Sequence, residues 1–375
     1  MQPIQMVDLK RQYLRIKPEI DQAILDVLDS TAFINGRPVQ DFASALAAYM
    51  HVKYVIPCAN GTDALQIALM ALGLEPGDEV ITPSFTFIST VEVIALLRLT
   101  PVFIDVDPRS YCLDTRLLEK AITKRTRAII PVHLYGQSTD MEPLLEFAGQ
   151  HALHIIEDNA QAIGSDYRFQ NGQLVKTGSM GAVSCTSFFP SKNLGGYGDG
   201  GAMCTSDEAL AQRLRMIANH GQRERYYHDI VGCNSRLDTL QAAVLSVKLR
   251  FLDRYIDARI RVADGYDRAF AEHPRIITPY RAPNTRHVFH QYTLQIEGGG
   301  RDQLQQYLAG QGIPSMIYYP VPAHRQKMFA SFGAGDAVLP VTDRLSERVL
   351  SLPIHTEMEE DQLEFIISRV LDFFH

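Results

Sequence analysis

Cysteine is scarce in this chain of 375 residues: there are five, at Cys58, Cys112, Cys185, Cys204 and Cys233. The number is odd and no two stand close together, so neither a disulfide framework nor a paired-cysteine metal site fits. Small buried thiols in a reducing compartment are expected instead, which makes the cytoplasm the expected location. A basic excess is also missing. Lys and Arg total 36 against 43 Asp and Glu, a net charge of −7, which argues against a dedicated nucleic-acid binder. No long apolar run is present. The most apolar stretch, residues 91–106, is broken by Glu92, Arg98 and Asp105 and falls short of the roughly 20 residues a membrane helix needs. The opening MQPIQMVDLKRQYLRIK lacks the apolar centre of a secretory signal, so no such leader is expected. Repeats and low-complexity tracts are absent too.

The composition itself is that of an ordinary globular chain, 46% hydrophobic and 21% charged, long enough to bury a large core without staples. At about 150 residues per domain, two or three domains are expected. Short β-rich runs recur at 54–58, 79–82, 102–105, 128–132, 155–158, 183–187 and 202–205. Several precede segments of helical spacing, at 62–72, 86–97, 141–151 and 207–218. Apolar strands separated by amphipathic helices predict an α/β fold with a mostly parallel sheet covered on both faces. Beyond Asn234 the pattern changes. Residues 237–270 read as one long helix. A Pro-rich stretch, a strand at 292–296, a helix at 302–311 and a terminal helix at 359–374 follow. The expected division is a large domain over 1–250, N-terminal arm included, and a smaller α/β domain over 251–375.

In open α/β sheets, ligands sit beyond the carboxyl ends of the strands. Four loops there carry unusual residues. In the first, Asn60-Gly61-Thr62-Asp63, a strand ends and a helix begins. Its amides and the Thr62 hydroxyl suit either a phosphate or a plain helix cap. In the second, Glu157-Asp158-Asn159-Ala160-Gln161, alternation lets only one of the two acids face a given side. A carboxylate there could hold a cation, a metal or a protonated ring nitrogen; no spaced His or acid joins it, so a metal is not favoured. The third, Ser187 to Gly201, places Lys192 between an aromatic run and a glycine-dense loop that lacks the Walker spacing. A lysine in a partly apolar pocket loses proton affinity and becomes a nucleophile; on a flexible turn it is merely solvated. The fourth, Asn234 to Ala243, opens the long helix. It reads as a cap with Arg236 and Asp238 paired, or as phosphate donors offered to a neighbouring subunit. His133 follows a strand, and a lone histidine there is more often structural.

Together these motifs, with Val7-Asp8-Leu9-Lys10 and Pro83-Ser84-Phe85-Thr86-Phe87, resemble the DegT/DnrJ/EryC1/StrS family of sugar aminotransferases over nearly the whole chain. The resemblance implies the aspartate-aminotransferase type of fold and pyridoxal 5′-phosphate as cofactor. Lys192 matches the Schiff-base lysine, and Asp158 the acid facing the pyridine nitrogen. Gln161 matches the residue near the ring hydroxyl, and Phe87 the aromatic stacked on the ring. Gly61, Thr62, Asp63 and Ser187 match the phosphate cradle. Asn234 matches a donor reaching the phosphate from the other subunit, which implies a homodimer with shared sites. A relative performing dehydration carries His at the lysine position, so Lys192 favours transamination. The segments 220–228 and 317–326 resemble members that aminate C3 of a 3-keto nucleotide sugar. They nominate Arg223, Arg225, Tyr319 and His324 as substrate contacts; Ala323 departs from the bulkier apolar residue expected. The implied reaction moves the amine of L-glutamate to a 3-keto hexose on UDP or dTDP. Amination at C4, and a non-catalytic ligand-binding protein on the same fold, are the alternatives.

Overall fold

The computed structural model describes residues 3–332 and 337–375. Nine strands lie in the first two-thirds of the chain: β1 (Tyr54–Cys58), β2 (Glu79–Pro83), β3 (Thr100–Ile104), β4 (Thr126–Ile129), β5 (His154–Asp158), β6 (Asp166–Arg168), β7 (Leu174–Lys176), β8 (Val183–Ser187) and β9 (Gly201–Thr205). Seven form one sheet in the order β1-β9-β8-β5-β4-β2-β3, and β6 and β7 form a separate hairpin. Every neighbouring pair from β8 to β3 is parallel, whereas β9 runs antiparallel to both β8 and β1. A parallel pair needs a crossover connection, but an antiparallel pair can be joined by a short loop. The β8–β9 connection is such a loop, and it carries Lys192.

Alternation along the strands explains the two covered faces. Ile56, Cys58 and Met203 bury with the helices Gly61–Ala71 and Glu208–Ala218. Their strand neighbours Val55, Ala202 and Cys204 bury on the opposite face with the helices Arg37–Met50 and Thr239–Leu249. Further along the chain, β10 (Gln222–Glu224) and β11 (Tyr227–His228) make an exposed hairpin. The strands β12 (Ile276–Ile277), β13 (Tyr292–Ile296) and β14 (Val349–Leu352) make a three-stranded antiparallel sheet.

Two expectations are corrected. The long helix at 237–270 is two helices, Thr239–Leu249 and Leu252–Phe270. At the break the Phe251 amide bonds to the Lys248 carbonyl, three residues back, so the last turn tightens and the chain changes direction. No proline or glycine marks the place, and the apolar spacing carries on through it. The helix expected at 86–97 begins only at Ser89. The residues before it form bends and a turn that closes with the Thr90 amide on the Phe87 carbonyl at 3.3 Å, and Phe87 is left half exposed. The helix Leu252–Phe270 buries Leu252 and Ile256 in the core of the large sheet, and Val262, Ala263, Tyr266 and Phe270 in a second core around β13 and β14. We therefore propose that the division between domains runs through this helix. The N-terminal arm reaches the smaller unit: Ile4 joins the second core, and Arg11 and Arg15 pair with Glu359 and Glu357. Among the described residues, no helix is long and apolar enough to cross a membrane.

Candidate active site

The carboxyl ends of β1, β2, β5 and β8 converge with residues 290–291 and 316–319 on a cleft of about 640 Å³. At one end lies the start of the helix Gly61–Ala71. Asn60 caps it by accepting from the Asp63 amide at 2.8 Å, which leaves the first amides of the helix without intrahelical partners. The Thr62 hydroxyl lies 2.7 Å from that of Ser89, and both face the cleft with Ser187. Gly61 is required here, because a Cβ would come within 2.8 Å of Ser187 Cβ. Gly201 is equally constrained, since a Cβ would meet the Asn60 carbonyl at 2.4 Å. Glycine at both positions lets β9 press the helix start against the end of β8.

The two adjacent acids of β5 go to opposite sides. Asp158 enters the cleft, buried, with Oδ2 accepting from the Thr90 hydroxyl at 2.8 Å and Oδ1 from the Ala160 amide at 3.1 Å. Burial raises its pKa, and the hydroxyl, the amide and the positive charge of Lys192 oppose that rise. Glu157 turns the other way and accepts from the amides of Gly178, Met180 and Gly181 at 2.8, 2.7 and 2.6 Å. His133 completes this site 2.9 Å away. The Thr139 amide donates to Nδ1 of His133 at 3.1 Å, which puts the imidazole proton on Nε2, facing Glu157. Burial pushes the Glu157 pKa up, but His133 and the amides hold it below its ordinary value. His133 is therefore part of a sealed structural pair, as a lone histidine on a strand end is expected to be.

The loop carrying Lys192 is anchored rather than mobile. Phe188 is fully buried and meets Phe42 edge-on with ring centres 5.3 Å apart. The Asn193 amide donates to the Val288 carbonyl at 3.1 Å, and the Tyr197 amide to Gln241 at 2.7 Å. Lys192 is half-buried and lines the cleft. Desolvation lowers its pKa to about 8, with Asp158 pulling the other way. Opposite stand Phe87 and Tyr319, ring centres 6.0 Å apart. Gln161 donates to the Tyr319 hydroxyl at 3.0 Å and accepts from the Tyr135 amide at 2.8 Å, so its orientation is fixed.

Thus Lys192, Asp158, Gln161, Phe87, Gly61, Thr62, Ser187 and Tyr319 are brought together, and five nominated residues are not. Asp63 faces away from the cleft and accepts from the Ser235 hydroxyl at 2.6 Å, tying the helix start to the 234–236 turn. His324 is buried, with Nδ1 2.7 Å from the Ser84 hydroxyl and Nε2 3.2 Å from Asp343. It packs in the interior and does not line the cleft. Arg223 pairs with Asp229 at 3.3 Å on the exposed hairpin, and Arg225 stacks on Tyr226. Asn234 is exposed outside the cleft of its own chain. The proposed pairing of Arg236 with Asp238 does not occur among the described residues. Sequence reasoning missed Ser89, Thr90, His290 and Gln291. Thr90 lies four residues after Thr86, whose hydroxyl it meets at 3.0 Å, and that spacing was a usable signal. His290 and Gln291 come from a distant segment and carried none. Among the described residues, no group of three or more His, Cys, Asp or Glu is poised to hold a metal.

Known proteins resemble this chain over nearly its whole length. The profile of the DegT/DnrJ/EryC1/StrS aminotransferase family matches residues 14–371. A UDP-2-acetamido-2-deoxy-3-oxo-D-glucuronate aminotransferase of Pseudomonas aeruginosa is 46% identical over 98% of this chain and 99% of its own. A pleiotropic regulatory protein of Geobacillus stearothermophilus is 45% identical over 99% and 98%. The crystal structure of S. venezuelae DesV in complex with a ketimine intermediate superposes with a TM-score of 0.93 at 42% identity, covering 100% of this chain and 99% of that one.

Proposed function

Because this chain belongs to the DegT/DnrJ/EryC1/StrS aminotransferase family, we propose that it moves the amine of L-glutamate to the C3 ketone of a hexose carried on UDP or dTDP. The observation that carries this reading is the presence of Lys192 and Asp158 in one cleft. Pyridoxal 5′-phosphate, when bound, supplies an electrophilic carbonyl and a ring that withdraws electrons. The residues fit it. Three hydroxyls, of Thr62, Ser89 and Ser187, and the free amides of a helix start suit a phosphate. The cradle between Gly61 and Ser187 is one that a single methyl group would fill. Phe87 offers a flat apolar face.

The chemistry of the chain's own groups follows. With a pKa of about 8, Lys192 is partly neutral near physiological pH, so its Nζ can attack a carbonyl and later carry a proton. The Asp158 carboxyl group, oriented by the Thr90 hydroxyl and the Ala160 amide, favours positive charge on a ring nitrogen beside it when ionised. Gln161 and Tyr319 orient polar groups at the cleft wall. Over a full cycle glutamate loses its amine and two electrons and leaves as 2-oxoglutarate. The sugar ketone gains both and becomes an amino sugar. The two substrates use the cleft in turn.

The 3-oxo sugar named for the Pseudomonas relative supports C3; amination at C4 by the same cleft is the nearest alternative. The regulatory name of the Geobacillus relative favours a sensing protein, but a binder has no need of a depressed lysine facing a carboxylate. Asn234, Arg223 and Arg225 lie outside the cleft of their own chain, and Tyr226 and Tyr227 beside them are 77% and 67% exposed. That arrangement supports a homodimer in which these residues complete the neighbouring site. Five unpaired thiols support a cytoplasmic location. The test is a mass-spectrometric screen of keto nucleotide sugars with ¹⁵N-glutamate, the position of the new amine being assigned by NMR. A ¹⁵N-amino group at C3 is expected; one at C4, or none from any sugar, overturns the reading.

A further inference from the structure

His290 lines the cleft that holds Lys192 and is 5% exposed, yet its Nδ1 is buried without a hydrogen-bond partner. Such an atom is costly to leave unsatisfied. Among the described residues the one polar neighbour of its ring is the Gln291 amide, which donates to Nε2 at 3.5 Å and so leaves the proton of the neutral imidazole on Nδ1. The backbone around it is fixed. Arg259, itself buried, donates to the carbonyls of Phe289, His290 and Ile354 at 3.2, 3.3 and 2.9 Å. A Cβ on Gly136 would come within 2.9 Å of the backbone nitrogens of Phe289 and His290, so Gly136 packs directly against that backbone. Burial and the charges of Lys192 and Arg259 keep the imidazole neutral. Lys192 Nζ, for its part, has no hydrogen bond or ion pair among the described residues. Among the described residues, one cleft therefore contains an amine without a partner and a rigidly placed neutral imidazole whose Nδ1–H lacks one.

We propose that His290 is a positioning residue for Lys192, its Nδ1–H donating a hydrogen bond to the lysine amine whenever that amine is free and neutral. This rests on Lys192 as the reacting amine. The bond would fix where the neutral Nζ sits when it attacks or takes up a proton, and a group displaced by about 1 Å can lose on the order of 10²-fold in rate.

The experiment compares the holoenzyme with His290→Leu, His290→Asn and His290→Gln. The glutamate half-reaction is followed by the cofactor spectrum, so that rate constant and glutamate affinity separate. In the apo-proteins, trapping of a small aldehyde on Lys192 by cyanoborohydride is followed against pH. The leucine variant is expected to lose about 10²-fold in the rate constant while glutamate affinity changes less than about threefold. Asparagine, whose amide falls near the Nδ1 position, should restore most of the loss; glutamine, which reaches the Nε2 position, should not. A donor to the lone pair favours the neutral amine, so the trapping midpoint should move to higher pH in the leucine variant. Asp158 and Asp199, which line the same cleft, and Arg259 are unchanged across the series. A leucine variant with unchanged rate overturns the proposal. So does an equal loss in all three variants that follows lowered melting temperature and cofactor retention. Wild-type protein that traps no aldehyde at Lys192 overturns the assignment of Lys192 beneath it.

Discussion

Two lysines in this chain have pKa values lowered to about 8, Lys192 and Lys248. Burial is the leading cause for both, but their surroundings differ. Lys192 opens onto the cleft and faces Asp158. Lys248 is 1% exposed, sits 5.3 Å over the Tyr197 ring and has the positive Arg259 as its charged neighbour. A depressed amine alone does not make a site. Access for a ligand and a facing carboxylate separate the reactive lysine from the sealed one. The two are mechanically related, because Tyr197 belongs to the loop that carries Lys192.

The sharpest way to break this comparison is to remove each amine in turn. Lys192→Ala should lower the rate of transamination by about 10⁴-fold or more, measured as 2-oxoglutarate release. Lys248→Met should stay within about threefold of wild type. Its melting temperature should be unchanged or higher, because replacing a buried charge by an apolar chain of similar volume is often neutral or stabilising. A large loss in the methionine variant with the fold intact would contradict the distinction. Asp158→Asn tests the facing carboxylate and should cost about 10² to 10³-fold in the half-reaction, with the Lys192 loop undisturbed. The smallest effect concerns the shared site. Protein mixed from Lys192→Ala and Asn234→Ala chains should regain about one quarter of wild-type activity, since half of the dimers pair an intact lysine with an intact asparagine. No recovery on mixing would contradict a site completed by two subunits.

The legible parts of this molecule were those written in local sequence. β5 could be read as an apolar strand ending in two acids, and the alternation of a strand already required Glu157 and Asp158 to part. The glycine-dense loop after β8 showed where backbone comes close, and Gly201 against Asn60 is such an approach. What was not legible depends on distant segments. Nothing near residue 324 shows that Ser84, 240 positions earlier, will seal His324 into the interior. The turn at Arg250-Phe251 leaves the helical spacing intact, so periodicity carries across a real break. Asp63 matched the phosphate cradle by position, yet Ser235 turns its carboxylate away. Family resemblance transfers positions, whereas the direction of a side chain follows from its three-dimensional neighbours.

The most direct test of the whole account is to reduce cofactor-loaded protein with borohydride and map the phosphopyridoxyl group by peptide mass spectrometry. The group is expected on Lys192 alone, with the yellow colour bleached and none on Lys248. Attachment at Lys248, or at no lysine, would contradict the assignment of the reactive amine to the cleft.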